Sequence, residues 1–169
     1  MSIAITPPDE AARLAAQQRS DAQAKPTGAL GRLEELGAWV AACQGQCPPR
    51  PLTDVRVVVF AGDHGVAASG VSAYPAAITP AMVRGIAAGV AGVSALAAAN
   101  GVRVEVVDIA VAEDFADLDP AIGRHKVARG SGSIETRDAL TEEQLDAALD
   151  AGERIAAHVH RIDSYDREI

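Results

Sequence analysis

Apolar residues fall into distinct patterns along this chain, and each pattern predicts an element. Leu30, Leu33, Leu36, Val40 and Cys43 recur at helical spacing and form one apolar face of a helix over roughly Leu30 to Cys43. Val55 to Ala61 is instead a continuous apolar run interrupted only by Arg56, as in a strand covered on both faces of a sheet. Val102 to Val111 predicts a second strand. Between the two, Thr79 reads as a helix cap with Pro80 at the first helical position. That helix runs to about Ala99, breaks near Gly89, and is closed by Asn100-Gly101. Strand, long helix, strand is a βαβ unit, which predicts a parallel pair joined by a right-handed crossover.

The flanks are helical or irregular. Thr6 followed by Pro7, Pro8, Asp9 and Glu10 reads as a helix start, with the prolines in the first turn and the carboxylates favoured by the dipole. Lys25-Pro26-Thr27-Gly28 ends that helix after about Ala24. Pro48, Pro49 and Pro51 mark Gln44 to Asp54 as a linker. Asp114 to Pro120 is an acidic loop, His125 to Ala128 a short strand, and Arg129 to Ser133 a Gly/Ser loop. Thr141 with Gln144 is a capping box for a last helix through about His158. The resulting division is a helical segment with a Pro-rich linker over 1–50, an α/β sheet segment over 51–160, and a charged tail over 161–169.

Composition narrows the class. A length of 169 residues with 49% hydrophobic suits one domain, and 3% aromatic means a core of Ala, Val, Leu and Ile. The net charge of −8 argues against nucleic acid, whose phosphates need a basic face, and leaves a small phosphorylated ligand open. Cys43 and Cys47 have no His, Asp or Glu between them to complete a metal site and read as reduced thiols. The N-terminus lacks a basic start and an apolar run, so no signal peptide is expected. The longest apolar stretch, around Ile86 to Ala99, is short of the ~20 residues of a membrane span. A soluble cytoplasmic protein without membrane contact is the expectation.

The chemistry concentrates where the first strand stops. Gly62-Asp63-His64-Gly65 lies at the mouth of the sheet, where open α/β folds bind ligands. Asp63 and His64 could hold a metal, form an acid/base pair or orient a ligand; equally, the Asp could cap loop amides and the His bond to backbone. Asp108 ends the second strand in the same way. In Ser72-Ala73-Tyr74-Pro75 the tyrosine could stack on a flat heterocycle or anchor a loop. Met82, one turn into the next helix, is either a soft ligand wall or core. Lys25 to Arg32 combines cations with a Gly-rich turn at a helix start, which fits an anion site or a plain helix–helix turn; it lacks the Gly-Lys-Ser/Thr ending of a P-loop. Arg129-Gly130-Ser131-Gly132 poses the same choice. Glu113-Asp114, His158 and His160 read as solvated.

Taken together and in order, these segments resemble one family. Lys25-Pro-Thr-Gly-Ala-Leu-Gly-Arg-Leu-Glu34 is similar to its KPPGSLGRLE signature, and Phe60-Ala-Gly-Asp-His-Gly-Val66 to its ADHGV segment. Gly70-Val-Ser-Ala-Tyr-Pro75 with Ile78-Thr-Pro-Ala-Met-Val83, then Val104 to Ile109 and Val127 to Ile134, resemble its next blocks. The family is nicotinate-nucleotide–dimethylbenzimidazole phosphoribosyltransferase, and the resemblance covers about Leu14 to Ala156, the N-terminal half of a member. It implies an α/β fold with a Rossmann-like parallel sheet flanked by helices and an N-terminal helical part, incomplete relative to the family fold. It implies transfer of ribose phosphate from nicotinate mononucleotide to 5,6-dimethylbenzimidazole in cobalamin nucleotide-loop assembly, without metal or other cofactor, in a homodimer. The acceptor pocket then falls around Asp63, His64, Ser72, Tyr74, Pro75 and Met82. Lys25, Arg32, Arg129 and Gly130 are the anion-binding candidates. The family's general-base glutamate has no counterpart here, so no residue of this chain is assigned a catalytic role and the chain alone is expected to be inactive. The competing expectations are a non-catalytic module binding a heterocycle or a partner, and a metal-dependent hydrolase using Asp63, His64 and Asp108.

Overall fold

The computed structural model describes residues 6–165, with side chains through Ala157; the side chains of His158 and His160 and the end of the charged tail lie outside the described residues. The chain divides into two compact units, Met1–Thr53 and Asp54–Ile169.

The first unit is a pair of helices, α1 (Glu10–Asp21) and α2 (Arg32–Gln44). Asp9 caps α1, its carboxylate accepting a bond from the Ala12 amide at 2.9 Å. Pro7 and Pro8 therefore precede the helix rather than filling its first turn, because the cap goes to the side chain that can satisfy an orphan amide. The leucine face expected on α2 is not the packed one. Ala12 on α1 and Ala38, Ala41 and Ala42 on α2 are buried, while Leu30, Leu33 and Leu36 are exposed. Small residues let the two backbones approach, so the helices meet along alanine and leave leucine outside. Gly28 and Gly31 take positive φ of 76° and 54° in the turn between them. Lys25 Nζ lies 2.8 Å from Glu34 Oε1, and the same carboxylate oxygen accepts the Leu30 amide at 3.0 Å.

In the second unit, β1 (Arg56–Gly62) and β2 (Arg103–Ala110) pair in parallel, Val59 opposite Val106 and Ala61 opposite Asp108. The register slips after Ala61, setting Gly62 against Ala110. A 3-10 helix (Gly65–Ser69), α3 (Ile78–Ala87) and α4 (Gly92–Ala99) connect the strands, completing the expected βαβ unit. Gly89, at φ 77°, makes the break between α3 and α4. Thr79 is not the cap of α3: the helix begins at Ile78, with Ala77 at the cap position and no side-chain cap bond. The apolar stretch is also longer than the sequence suggested. Ile78–Ala99 spans 22 residues with mean hydropathy 1.6, enough by length and composition for a membrane span, but its backbone is broken into two helices.

Val83, Val106 and Val111 form the buried core, with Val59, Ala61 and Ile86 packed against it. Alternation along β1 puts Val59 and Ala61 on this face and Phe60 on the other, where it remains 49% exposed. The continuous apolar run is thus not covered on both faces by the described residues. The segment expected as a strand over His125 to Ala128 is turn and loop. It runs beside β2, where the Val127 amide donates to Ile109 O at 2.8 Å and the Gly130 amide to Ala110 O at 2.9 Å. Helix α5 (Glu142–Tyr165) starts with the predicted capping box: the Gln144 amide donates to Thr141 Oγ1 at 3.2 Å and the Thr141 amide to Gln144 Oε1 at 3.0 Å. It continues past His158, where the sequence suggested an end.

Candidate functional site

Asp63 is held by its amide, its carbonyl and one carboxylate oxygen where β1 stops. Its amide donates to Ala110 O at 2.9 Å and its carbonyl accepts the Ser131 amide at 2.9 Å. Its carboxylate Oδ2 accepts the Ala112 amide at 2.8 Å. Of the sequence readings of this residue, the capping one holds: one carboxylate oxygen takes a loop amide. His64 follows in extended backbone at the head of the 3-10 helix and is exposed. Gly65 is where a second loop comes closest. A Cβ there would stand 2.7 Å from Gly132 C and Ser133 N and 2.8 Å from Ser131 O, so only glycine admits this contact.

Beyond Asp63 opens a cleft of about 380 Å³. The acceptor-pocket residues singled out from the sequence, Asp63, His64, Ser72, Tyr74, Pro75 and Met82, all line it. Ser72 Oγ accepts the Tyr74 amide at 3.2 Å, a local turn that sets the Tyr74 backbone. Tyr74 is 72% exposed and Met82 49%, so the wall they make is open to solvent. Val66, Val71, Ile78 and Thr79 also line it and were not anticipated. For α3 the sequence carries the signal, since Ile78, Thr79 and Met82 fall on one helical face. The result is an apolar slot with a carboxylate, an imidazole and a hydroxyl at its edge, the usual make-up of a small-molecule site. A second cleft of about 340 Å³ shares Gly62, Asp63 and His64 with the first and is otherwise lined mainly by apolar side chains such as Phe60, Ile109 and Leu140. Asp63 and His64 thus stand between two hollows.

The other sequence candidates sit elsewhere. Lys25 and Arg32 are in the first unit, each bonded to a carboxylate, Glu34 and Glu35 respectively. The Lys25 ammonium and then the Leu30 amide hold the Glu34 carboxyl below its ordinary value. Arg129 donates to Ala112 O at 2.9 Å and pairs with Asp114 at 2.9 Å. The Gly130, Ser131 and Gly132 amides donate to Ala110, Asp63 and Ala139 carbonyls, so they are turned inward to protein acceptors. Glu113 and Asp114 are exposed but ion-paired, Glu113 with Arg84 at 2.6 Å and Asp114 with Lys126 at 2.9 Å. Asp108 is 1% exposed and lies 3.0 Å from Lys126 Nζ, a cation where a metal ligand would need an open face. Among the described residues no group of three or more His, Cys, Asp or Glu is placed to share a metal. The hydrolase trio of Asp63, His64 and Asp108 is therefore not brought together. A larger groove of about 570 Å³ runs along β2, but its Arg84 is taken up by Glu113, Asp117 and the Phe115 ring, 5.1 Å away.

A parallel βαβ unit whose strands end at an apolar cleft edged by Tyr74 defines the class: an α/β protein with a cleft at the carboxyl end of its sheet. A phosphoribosyltransferase family model matches residues 5–164, and the chain belongs to that family. The match begins before and ends after the stretch that the sequence motifs delimited. The chain is 59% identical over 152 residues to the nicotinate-nucleotide–dimethylbenzimidazole phosphoribosyltransferase of Mycobacterium marinum, and 58% to that of Mycobacterium ulcerans. Each alignment takes in 90% of this chain and 42% of the relative, so the chain spans under half the length of these proteins. The crystal structure of the Thermus thermophilus enzyme of the same name superposes with a TM-score of 0.80 at 37% identity, over 90% of this chain and 46% of that one.

Proposed function

We propose that this chain forms the acceptor-ring side of a nicotinate-nucleotide–dimethylbenzimidazole phosphoribosyltransferase. The reaction would move ribose 5-phosphate from nicotinate mononucleotide to 5,6-dimethylbenzimidazole, giving alpha-ribazole 5'-phosphate and nicotinate for the cobalamin nucleotide loop, in the cytoplasm. The observation that carries this reading is the convergence of Asp63, His64, Ser72, Tyr74, Pro75 and Met82 on one cleft of about 380 Å³. A fused bicyclic ring is flat and apolar on its faces and polar at one edge. Val66, Val71, Ile78 and Met82 supply the apolar contacts, Tyr74 a stacking surface, and Asp63, His64 and Ser72 the polar edge.

The chemistry asks mainly for placement. An azole nitrogen attacks the anomeric carbon, the bond to nicotinate breaks with its electron pair, and the azole proton passes to a base. The residues of this chain hold the ring and do not supply that base. Asp108 is buried against Lys126, and Asp63 is engaged by the Ala112 amide. Lys25, Arg32 and Arg129 spend their charges, and Gly130 its amide, on partners within the protein rather than on an anion.

Calorimetric titration of the purified chain with 5,6-dimethylbenzimidazole tests the proposal. Saturable binding is expected, weakened about tenfold by Tyr74→Ala, with no nicotinate released from nicotinate mononucleotide. Absence of binding removes the acceptor-pocket reading. Nicotinate release by this chain alone removes the claim that the base lies elsewhere.

A further inference from the structure

Lys126 has no part in the slot but is bonded on three sides beside it. Its ammonium lies 3.0 Å from Asp108 Oδ2, 2.9 Å from Asp114 Oδ1 and 2.6 Å from Glu113 O. Asp108, 1% exposed at the end of β2, uses its other oxygen to accept the Val111 amide at 2.7 Å. Arg129 closes the far side, donating to Ala112 O at 2.9 Å and pairing with Asp114 at 2.9 Å. The turn from Val111 to Asp114 is therefore tied at each of its four residues, to Asp108, Arg129 and Lys126 and, through the Glu113 carboxylate, to Arg84. The one group this turn sends to the cleft is the Ala112 amide, which donates to Asp63 Oδ2 at 2.8 Å.

We propose that Lys126, acting through the buried Asp108 and the Val111–Asp114 turn, is a positioning residue for Asp63 in the ring-binding cleft. The inference rests on the reading of that cleft as a ring site. Lys126 never meets the ligand; it fixes the turn whose amide occupies one carboxylate oxygen of Asp63. With Oδ2 held and the backbone of Asp63 bonded on both sides, Oδ1 is the carboxylate oxygen left for a ligand edge. A carboxylate held in this way orients a ring nitrogen without having to be ordered on binding.

The test pairs a local backbone signal with affinity. Removing Lys126 alone would strand the Asp108 charge in the interior and endanger folding. The informative variant is therefore the double change Lys126→Met with Asp108→Asn, which keeps an acceptor for Val111 but no ion pair, set beside Lys126→Arg and Asp63→Ala. Hydrogen exchange at the Ala112 amide is expected to quicken about tenfold in the double variant and in Asp63→Ala, but to stay near wild type in Lys126→Arg. Affinity for 5,6-dimethylbenzimidazole is expected to fall about tenfold in the double variant, with no further loss when Asp63→Ala is added. Unchanged Ala112 exchange in the double variant overturns the proposal. So does a uniform quickening that includes core amides such as Val59 and Val106, because that is loss of stability alone. Additive losses of affinity overturn it as well. A wild-type chain that binds no ring overturns the proposed function instead, and the Ala112 signal still decides whether Lys126 holds Asp63.

Discussion

Gly65 is the residue on which the two loops of the site depend. With any Cβ at this position lying 2.7 Å from two backbone atoms of the Gly132–Ser133 segment, Gly65→Ala must push that loop away from Asp63. The expected cost is about 1–3 kcal/mol, read as a lower urea midpoint, together with loss of ring binding. Asp54 gives a second prediction, in pH. Arg103 first and Arg56 next hold its carboxyl down to about 2 from an ordinary 3.8. A depressed carboxylate favours the folded state above its unfolded value, so this contribution is complete above about pH 4 and disappears as pH falls through about 2. Urea midpoints of wild type and Asp54→Asn should differ at pH 6 and converge toward pH 2; a constant gap would show that the ion pairs are not the cause. At this scale the sequence was readable where chemistry is local. A strand ending in Asp63-His64, or a serine two residues before Tyr74, announces itself. Lys126, the Ala112 amide and the tight approach of Gly132 to Gly65 do not, because each contact joins residues a dozen or more positions apart and no periodicity records it.

Among the elements, α5 carries the clearest sequence signal. Its capping box forms in both directions, with Thr141 and Gln144 each satisfying the other's amide. Thr141→Ala is expected to lower stability by about 1 kcal/mol and to quicken exchange of the Gln144 amide. Exchange that leaves Gln144 unchanged while the strands loosen would place the effect elsewhere. The βαβ order, the break at Gly89 and the close at Gly101 were legible for the same reason: positive φ at glycine and strand-length apolar runs are properties of short windows. The errors arose where an element's partner decides its role. On α2, spacing alone could not tell the leucine stripe from the alanine stripe, and the close approach to α1 selected alanine. His125 to Ala128 has strand-like composition, yet within it the Val127 amide alone is bonded to β2.

The second unit as a whole presents apolar surface that its own helices do not cover. Phe60 is 49% exposed, Leu145 49%, Leu149 60% and Leu96 71%. The same chain carries a net charge of −8, which sets like charges against each other whenever two copies meet. Repulsion between exposed charges is screened beyond about 8 Å near 0.15 M salt, whereas apolar contact is not weakened by salt. Self-association should therefore increase as salt rises from about 10 mM to 0.5 M, and light scattering should report the higher mass. Phe60→Glu should oppose this by placing a charge on the exposed side of β1. If the mass falls with salt instead, the copies are held by ion pairs, and the apolar face of the sheet is not where they meet.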